Sequence, residues 1–320
     1  MKKNSAFSLI ELSIVILVIG ILVAGVTESR GLIIKFRLSS ARSLTSNSPV
    51  NSMKDLILWL DATSASSVND SLGDGDLVDK WSNISSQQSS KTDFIQSQVS
   101  YKPTYKINGI NGIPTLSFLT DDYLTSSASV SHSPSYSVFI VFNISSDATA
   151  DDMEIMNLYS DVDTNNNNDN SDGSATALEI QTGGNSIRSA FRSSVGKTGG
   201  DNNFSTQTIK PQKNYIMSYS RNFASENESL WINNEAFIGN GALISNGTAI
   251  PSVTNGNFAK TNLSWVIGKL GDETSGPSNR NARNFNGQIS EIIIFDRALM
   301  KDEIDDIEKY LSKKYSIKLN

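Results

Sequence analysis

The stretch FSLIELSIVILVIGILVAG, residues 7–25, carries a single charge, Glu11, in an otherwise apolar run. Nothing else in the chain constrains its fold as strongly. From Phe7 to Val26 the segment predicts a helix of about 30 Å, the thickness of a bilayer's hydrocarbon core. A helix that is apolar on every side has to be covered by lipid or by other helices. A carboxylate at the centre of such a helix costs about 2.5–3.5 kcal/mol on insertion scales. Glu11 therefore calls for a compensating partner. Lys2 and Lys3 precede the run. They set the short leader on the cytoplasmic side and send the remainder across the membrane. A secretory signal would have a shorter apolar core followed by a small-residue cleavage site, and VAGVTESRG is a poor site of that kind.

Beyond Val26, TESRGLIIKFRLSSARSL places Leu32, Ile33, Phe36 and Leu44 at helical spacing, with Lys35, Arg37 and Arg42 between them. The helix is expected to continue to about residue 44. No proline interrupts it, so it should run unkinked. TSNSPVNS, with Pro49, then ends it. The organisation read from the sequence is a leader at 1–6, a hydrophobic then amphipathic helix at 7–45, a linker at 46–52 and a β-rich head at 53–320.

The leader, small residue, FSLIE and apolar run together resemble the N-terminal segment of type IV prepilins, the family of type IV pilins and type II secretion pseudopilins. The resemblance covers residues 1 to about 45 and is most specific at residues 6–20. It implies that a prepilin peptidase cuts between Ala6 and Phe7 and that the new amine of Phe7 is methylated. Glu11 stands at the family's glutamate, the fifth residue after the cut. Physically, an amine on Phe7 inside an apolar bundle can be neutralised by the Glu11 carboxylate of a neighbouring subunit, which also fixes axial register. Ala6 departs from the family's usual glycine but is small. Ser8 and Ser13 can bond back to helix carbonyls.

From Leu56 the texture changes. LILWLD, PTLSFL, YSVFIVFNI, IRSAFR, NYIMSYS, SLWINN, SWVIGK and QISEIIIFD are short β-rich runs separated by Asn, Gly, Ser and Asp clusters, as in an antiparallel sandwich. One helix closes the chain, KDEIDDIEKYLSKKY, with Ile304, Ile307, Leu311 and Tyr315 as its apolar stripe. Asp302 and Glu303 open it and Lys313 and Lys314 close it, as the helix dipole favours. LILWLDATSASSV, DLVDKWSNIS, KPTYKINGINGIPTLSFLTDDYL and FNGQISEIIIFDRALMKDEIDDIEKYLSKKYSI stand in the order seen in laminin G-like domains of the concanavalin A-like lectin/glucanase superfamily. The resemblance covers about residues 53–320. It implies a mainly β fold, an antiparallel jelly-roll behind the long N-terminal helix, with a short C-terminal helix.

Composition narrows the function. The net charge is −6, so nucleic acid is not an expected partner. The chain has no cysteine, which excludes disulfides, thiolate metal sites and cysteine nucleophiles. Its one histidine, His132, lies in the polar stretch SVSHSPS and reads as a loop residue. The densest set of oxygen ligands is DVDTNNNNDNSDG, where Asp161, Asp163, Asp169 and Asp172 either surround a hard cation such as calcium or belong to a solvated loop. Asp121 and Asp122 in FLTDDYL are a second calcium candidate. The family's glycine is missing there, and a polar hairpin turn is the competing reading. Beyond calcium, no cofactor is expected. Glu303, Asp305 and Glu308 match a Glu-x-Asp-x-x-Glu spelling used by some glucanases of the superfamily. On a helix, however, Glu303 and Asp305 diverge by about 200°, so they read as solvated acids, with Asp305 paired to Lys309. Trp59, Trp81, Trp231 and Trp265 lie in or beside apolar runs and are expected in the core.

These readings combine into a minor or tip subunit of a type IV pilus-type filament that displays a lectin-like adhesion or recognition head. Its partners are prepilin peptidase, other pilin subunits and a glycan or surface protein. It sits in the bacterial inner membrane with the head in the periplasm, then in an extracellular filament. A minor type II secretion pseudopilin is the alternative. A membrane-anchored glycan-acting enzyme is the third class, and the expectation is that the chain is not an enzyme.

Overall fold

The computed structural model describes residues 9–119, 121–128, 135–145, 152–160, 174–181, 186–191, 201–204, 209–222, 227–237, 244–245, 248–249, 263–269 and 284–320. Helix α1 (Leu9–Ser46) is continuous over 38 residues, about 57 Å at 1.5 Å per residue. The absence of proline is reason enough for its continuity. Ser13 donates its hydroxyl to the Leu9 carbonyl at 2.8 Å, as expected of a serine in an apolar helix.

Eighteen strands follow among the described residues. They are β1 (Leu56–Asp61), β2 (Lys80–Trp81), β3 (Phe94–Ile95), β4 (Thr104–Lys106), β5 (Thr115–Phe118) and β6 (Leu124–Ser126). Next come β7 (Tyr136–Ile144), β8 (Asp152–Ser160), β9 (Ser174–Gln181), β10 (Ser186–Phe191), β11 (Asp201–Phe204) and β12 (Asn214–Asn222). The last are β13 (Asn227–Ile232), β14 (Glu235–Phe237), β15 (Ile244–Ser245), β16 (Thr248–Ala249), β17 (Leu263–Ile267) and β18 (Gly287–Phe295). Helix α2 (Lys301–Tyr315) closes the chain.

Two eight-stranded sheets result. The first runs β14-β13-β12-β7-β18-β5-β4, and β1 also pairs with β18. The second runs β11-β10-β9-β8-β17-β6-β3-β2. In the first sheet β18 is antiparallel to β7 along its length. On its other flank it pairs antiparallel with β5 through Gly287–Ile289 and with β1 through Glu291–Phe295.

The first sheet is covered on both faces. Val138, Ile140 and Phe142 of β7 join Ile292 and Ile294 of β18, and Trp81, Phe94 and Trp265 of the second sheet, in the core between the sheets. The alternate residues Phe139, Val141, Ile293 and Phe295 point outward and meet Ala41 of α1 and Ile304, Ile307, Leu311 and Tyr315 of α2. Burial on both faces explains why YSVFIVFNI and SEIIIF are almost continuously apolar and do not alternate. The stripe expected on the closing helix is the stripe that packs.

FLTDDYL is not a hairpin. Phe118 ends β5 in the first sheet and Leu124 begins β6 in the second, so the segment arches between sheets. In sequence the two are alike, since both need a short polar turn between apolar runs.

Candidate functional site

The first candidate is α1 itself. Its described side chains at residues 9–22 are exposed all round, from Leu9 at 81% to Val15 at 48%. Further along, Leu32, Ile33 and Phe36 are also exposed, Phe36 at 76%. Apolar surface of this extent marks a surface that another molecule or a lipid phase covers. Glu11 lies in the first turn, where the dipole favours a carboxylate. Ala6 and Phe7 lie outside the described residues. Among the described residues no helix is long and apolar enough to cross a membrane. The described side chains of the run stop at residue 22, and the expected span of residues 7–26 extends beyond them at both ends. The structure thus shows a long helix with apolar surface.

The second candidate is the joint between α1 and the head. Arg42 donates Nε to the Thr63 carbonyl at 2.8 Å and pairs with Asp70. Arg37 reaches the Asn111 carbonyl at 3.5 Å, across Gly112. Gly112 has φ +80, and a Cβ there would lie 2.0 Å from Arg37 Nη1, so the position requires glycine. Val50, in the stretch that reads as a linker, is fully buried. An open groove of about 540 Å³ runs along this joint, lined by Phe36, Arg37, Ser40, Leu44, Asn111 and Lys313 among others.

At the centre of the joint is Lys314, with a fully buried side chain. Its ammonium donates to Asp61 Oδ2 at 2.7 Å, Glu291 Oε2 at 2.7 Å and Thr45 Oγ1 at 2.8 Å. The two carboxylates exceed the one cation by a charge. Neutral donors offset the excess. Trp59 Nε1, Tyr310 OH and Tyr315 OH all donate to Glu291, at 2.7, 2.8 and 2.8 Å. The Thr63 amide and hydroxyl donate to Asp61 Oδ1 at 2.8 and 2.7 Å. Thr45 donates to Asp61 Oδ2 at 2.8 Å. Burial raises the Glu291 carboxyl above its ordinary value, with Lys314 pulling it down. Burial, then Glu291 and Asp61, hold both phenols well above theirs, so they stay donors. One network therefore ties α1, β1, β18 and α2. Sequence reasoning assigned Lys314 only to the dipole and missed its partners. A lone Glu291 inside SEIIIF was the available signal.

The acids of α2 are engaged separately. Glu303 receives both Arg297 Nη1 and Nη2, at 2.8 and 2.6 Å, and the Met300 amide at 3.0 Å. The Arg297 bonds hold the Glu303 carboxyl below its ordinary value. Asp305 pairs with Lys301, and Lys309 pairs with Asp306 at 3.2 Å. The expected Asp305–Lys309 pair is thus replaced by its neighbours in the same helical turn. Glu308 is fully buried and accepts the Ser218 hydroxyl at 2.6 Å.

Asp161, Asp163, Asp169, Asp172 and His132 lie outside the described residues. Asp121 accepts from Asn284 Nδ2 at 3.1 Å, and Asp122 Oδ2 accepts the Leu119 amide at 2.8 Å. Among the described residues no group of three or more histidines, aspartates and glutamates is placed to hold a metal ion. Burial pushes the Asp122 carboxyl from 3.8 up to about 6. A folded-state pKa above the unfolded one means that this carboxyl costs stability once pH rises through that window. Asp122→Asn keeps the acceptor and removes the charge. It is expected to stabilise the fold by about 1 kcal/mol above pH 6, discounted for partial solvation, with the gain vanishing below pH 3.8. Thermal melts of both proteins across that range check it. Trp59, Trp81 and Trp265 are buried. Trp231 is half-buried, with Lys301 Nζ 5.3 Å from its ring centroid.

Against known proteins, one family model matches the chain. Residues 1–27 carry the prokaryotic N-terminal methylation motif. The motif takes in Ala6, Phe7 and Glu11 and leads into the exposed apolar surface of α1. It supports a type IV pilin or pseudopilin-like subunit. No curated protein matches the chain by sequence. Among solved structures, a Trypanosoma rangeli sialidase in complex with sialic acid is similar at 10% identity and a TM-score of 0.45, covering 82% of this chain and 33% of that one. A mutant of that sialidase displaying trans-sialidase activity has 11% identity and a TM-score of 0.47, with the same coverage. The binding domain of botulinum neurotoxin DC, in complex with rat synaptotagmin II, has 14% identity and a TM-score of 0.44, covering 82% and 52%. The chain thus spans about a third of the sialidases and half of the toxin structure. The expectation that the chain is not an enzyme is corrected here, because several of these neighbours are enzymes. At this similarity they remove the exclusion and assign no reaction.

Proposed function

We propose that the chain is a minor or tip subunit of a type IV pilus-type filament, with a concanavalin A-like, laminin G-like jelly-roll as its adhesion or recognition head. The observation that supports this best is the methylation motif at residues 1–27 running into one helix that stays unbroken to the head. Before assembly the apolar segment holds the subunit in the inner membrane, with the head in the periplasm. Prepilin peptidase then frees the amine of Phe7. In the filament that amine lies against the Glu11 carboxylate of a neighbouring subunit. Apolar surface of α1 passes from lipid to the helices of other subunits, so assembly exchanges one apolar environment for another and the charge pair sets the register. The tightly bonded joint around Lys314 transmits force between shaft and head.

The experiment is recovery of the chain from sheared surface filaments of cells with and without an active prepilin peptidase. The reading expects the chain in the filament fraction only when the peptidase is active. Retention in the membrane fraction under both conditions would contradict it. Recovery only in a secretion-dependent pseudopilus would move the assignment to a pseudopilin.

A further inference from the structure

The outer face of the first sheet is apolar where α1 and α2 cover it. One row beyond that cover it turns polar. The register places Asn214 of β12 beside Asn143 of β7, Asn143 beside Gln288 of β18, Gln288 beside Ser117 of β5, and Ser117 beside Thr104 of β4. Partners in an antiparallel register project to the same face. Five uncharged hydrogen-bonding side chains therefore stand in one line across five adjacent strands, each step roughly 4.7–4.9 Å. Asparagine is depleted in strands, so local preference does not account for the row. At its centre opens a cleft of about 250 Å³ with no ionisable side chain in its lining. Ser117, Asn143, Gln212, Asn286 and Gln288 supply its polar groups, and Leu119 its apolar edge.

The row is held at one end by hydrogen bonds, and at the other it passes through the buried Ser117 to the half-buried Thr104. Asn143 Nδ2 donates to Asn214 Oδ1 at 3.2 Å, and Asn214 Nδ2 donates to Asn111 Oδ1 at 2.9 Å. Asn111 in turn donates to the Tyr315 carbonyl at the end of α2, at 2.8 Å. Thr115 donates to Gln288 Oε1 at 3.1 Å, which leaves the Gln288 amide hydrogens for the cleft. The Asn286 side-chain oxygen in the cleft is buried without a hydrogen-bond partner. Gly287 lets β18 lie close against β7 beside the cleft, since a Cβ there would lie 2.1 Å from the Asn143 carbonyl oxygen.

We propose that this row and cleft bind an uncharged glycan chain lying across the strands of the first sheet. Amides and hydroxyls match sugar hydroxyls as donors and acceptors. The absence of ionisable groups in the lining disfavours acidic sugars and charged peptides. A pyranose in an extended chain advances by about one strand spacing, whereas an extended peptide advances only about 3.3 Å per residue and falls out of step. The preset amides lose little freedom on binding. The proposal rests on the recognition reading of the head and assigns it a ligand class and a place.

The test uses the full chain in micelles of a detergent without a sugar headgroup, titrated with cellohexaose, laminarihexaose, mannohexaose and an oligogalacturonate hexamer. At least one neutral hexasaccharide is expected to bind saturably and shift the side-chain amide signals of Asn143 and Gln288. Asn143→Ala/Gln288→Ala should weaken it by about tenfold or more. Asp306→Asn, on the exposed side of α2, should leave binding unchanged, and thermal melts should show all variants folded. Undiminished binding by the double variant overturns the site and leaves the recognition reading standing. Preference for the galacturonate overturns the ligand class. Absence of saturable sugar binding, with adhesion of the intact filament retained, overturns the glycan inference alone. Loss of both removes the inference and the recognition reading together.

Discussion

Lys314→Met is expected to destabilise the head by about 3–5 kcal/mol, the cost of breaking a buried ion pair from one side. Methionine fills most of the space, so the loss is electrostatic. Asp61 and Glu291 would be left buried with no cation between them. The Glu291 carboxyl is already above its ordinary value through burial. Without Lys314 it rises further, so it costs stability above that pKa and the cost is relieved as pH falls through it. The deficit of the variant should therefore shrink toward acid pH in denaturant titrations. Adding Asp61→Asn and Glu291→Gln to Lys314→Met should recover much of the loss, because neutral groups keep the shape without the charges. An unchanged midpoint for the single variant would mean that the network does not hold the joint.

The second large effect is at Glu11. Glu11→Val should leave cleavage after Ala6 intact and reduce incorporation into filaments by roughly two orders of magnitude. That follows from about 3 kcal/mol for an amine left unpaired in an apolar bundle. The substitution removes a charge that insertion disfavours, so it should insert into the membrane at least as well as the parent. A loss of assembly then cannot be an insertion defect. Comparing chain amounts in sheared filaments and in membranes measures it. Wild-type incorporation of Glu11→Val would remove the register role.

Much of the fold was legible because single elements announce themselves by period. The stripe Ile304, Ile307, Leu311 and Tyr315 marked α2, and QISEIIIFD and YSVFIVFNI marked strands, though not that both their faces are covered. The lack of proline forecast an α1 that continues without a break. What stayed hidden depends on which elements meet. Position 314 follows 307 and 311 by seven and three residues, so helical geometry already put it on the buried face. A lysine in a last turn has a ready dipole explanation, and nothing local connects it to Asp61 or Glu291. FLTDDYL looks the same whether its flanking strands share a sheet or not. The row Asn214, Asn143, Gln288, Ser117 and Thr104 exists only through register, and its members are far apart in the chain. The methylation motif was legible for the opposite reason, since all its residues are consecutive.

The mass of the N-terminal peptide of chains recovered from membranes and sheared filaments tests the central claim most directly. The account predicts a peptide that starts at a methylated Phe7, enriched in the filament fraction. Recovery only of chains that start at Met1 would contradict it and leave a plain membrane-anchored head.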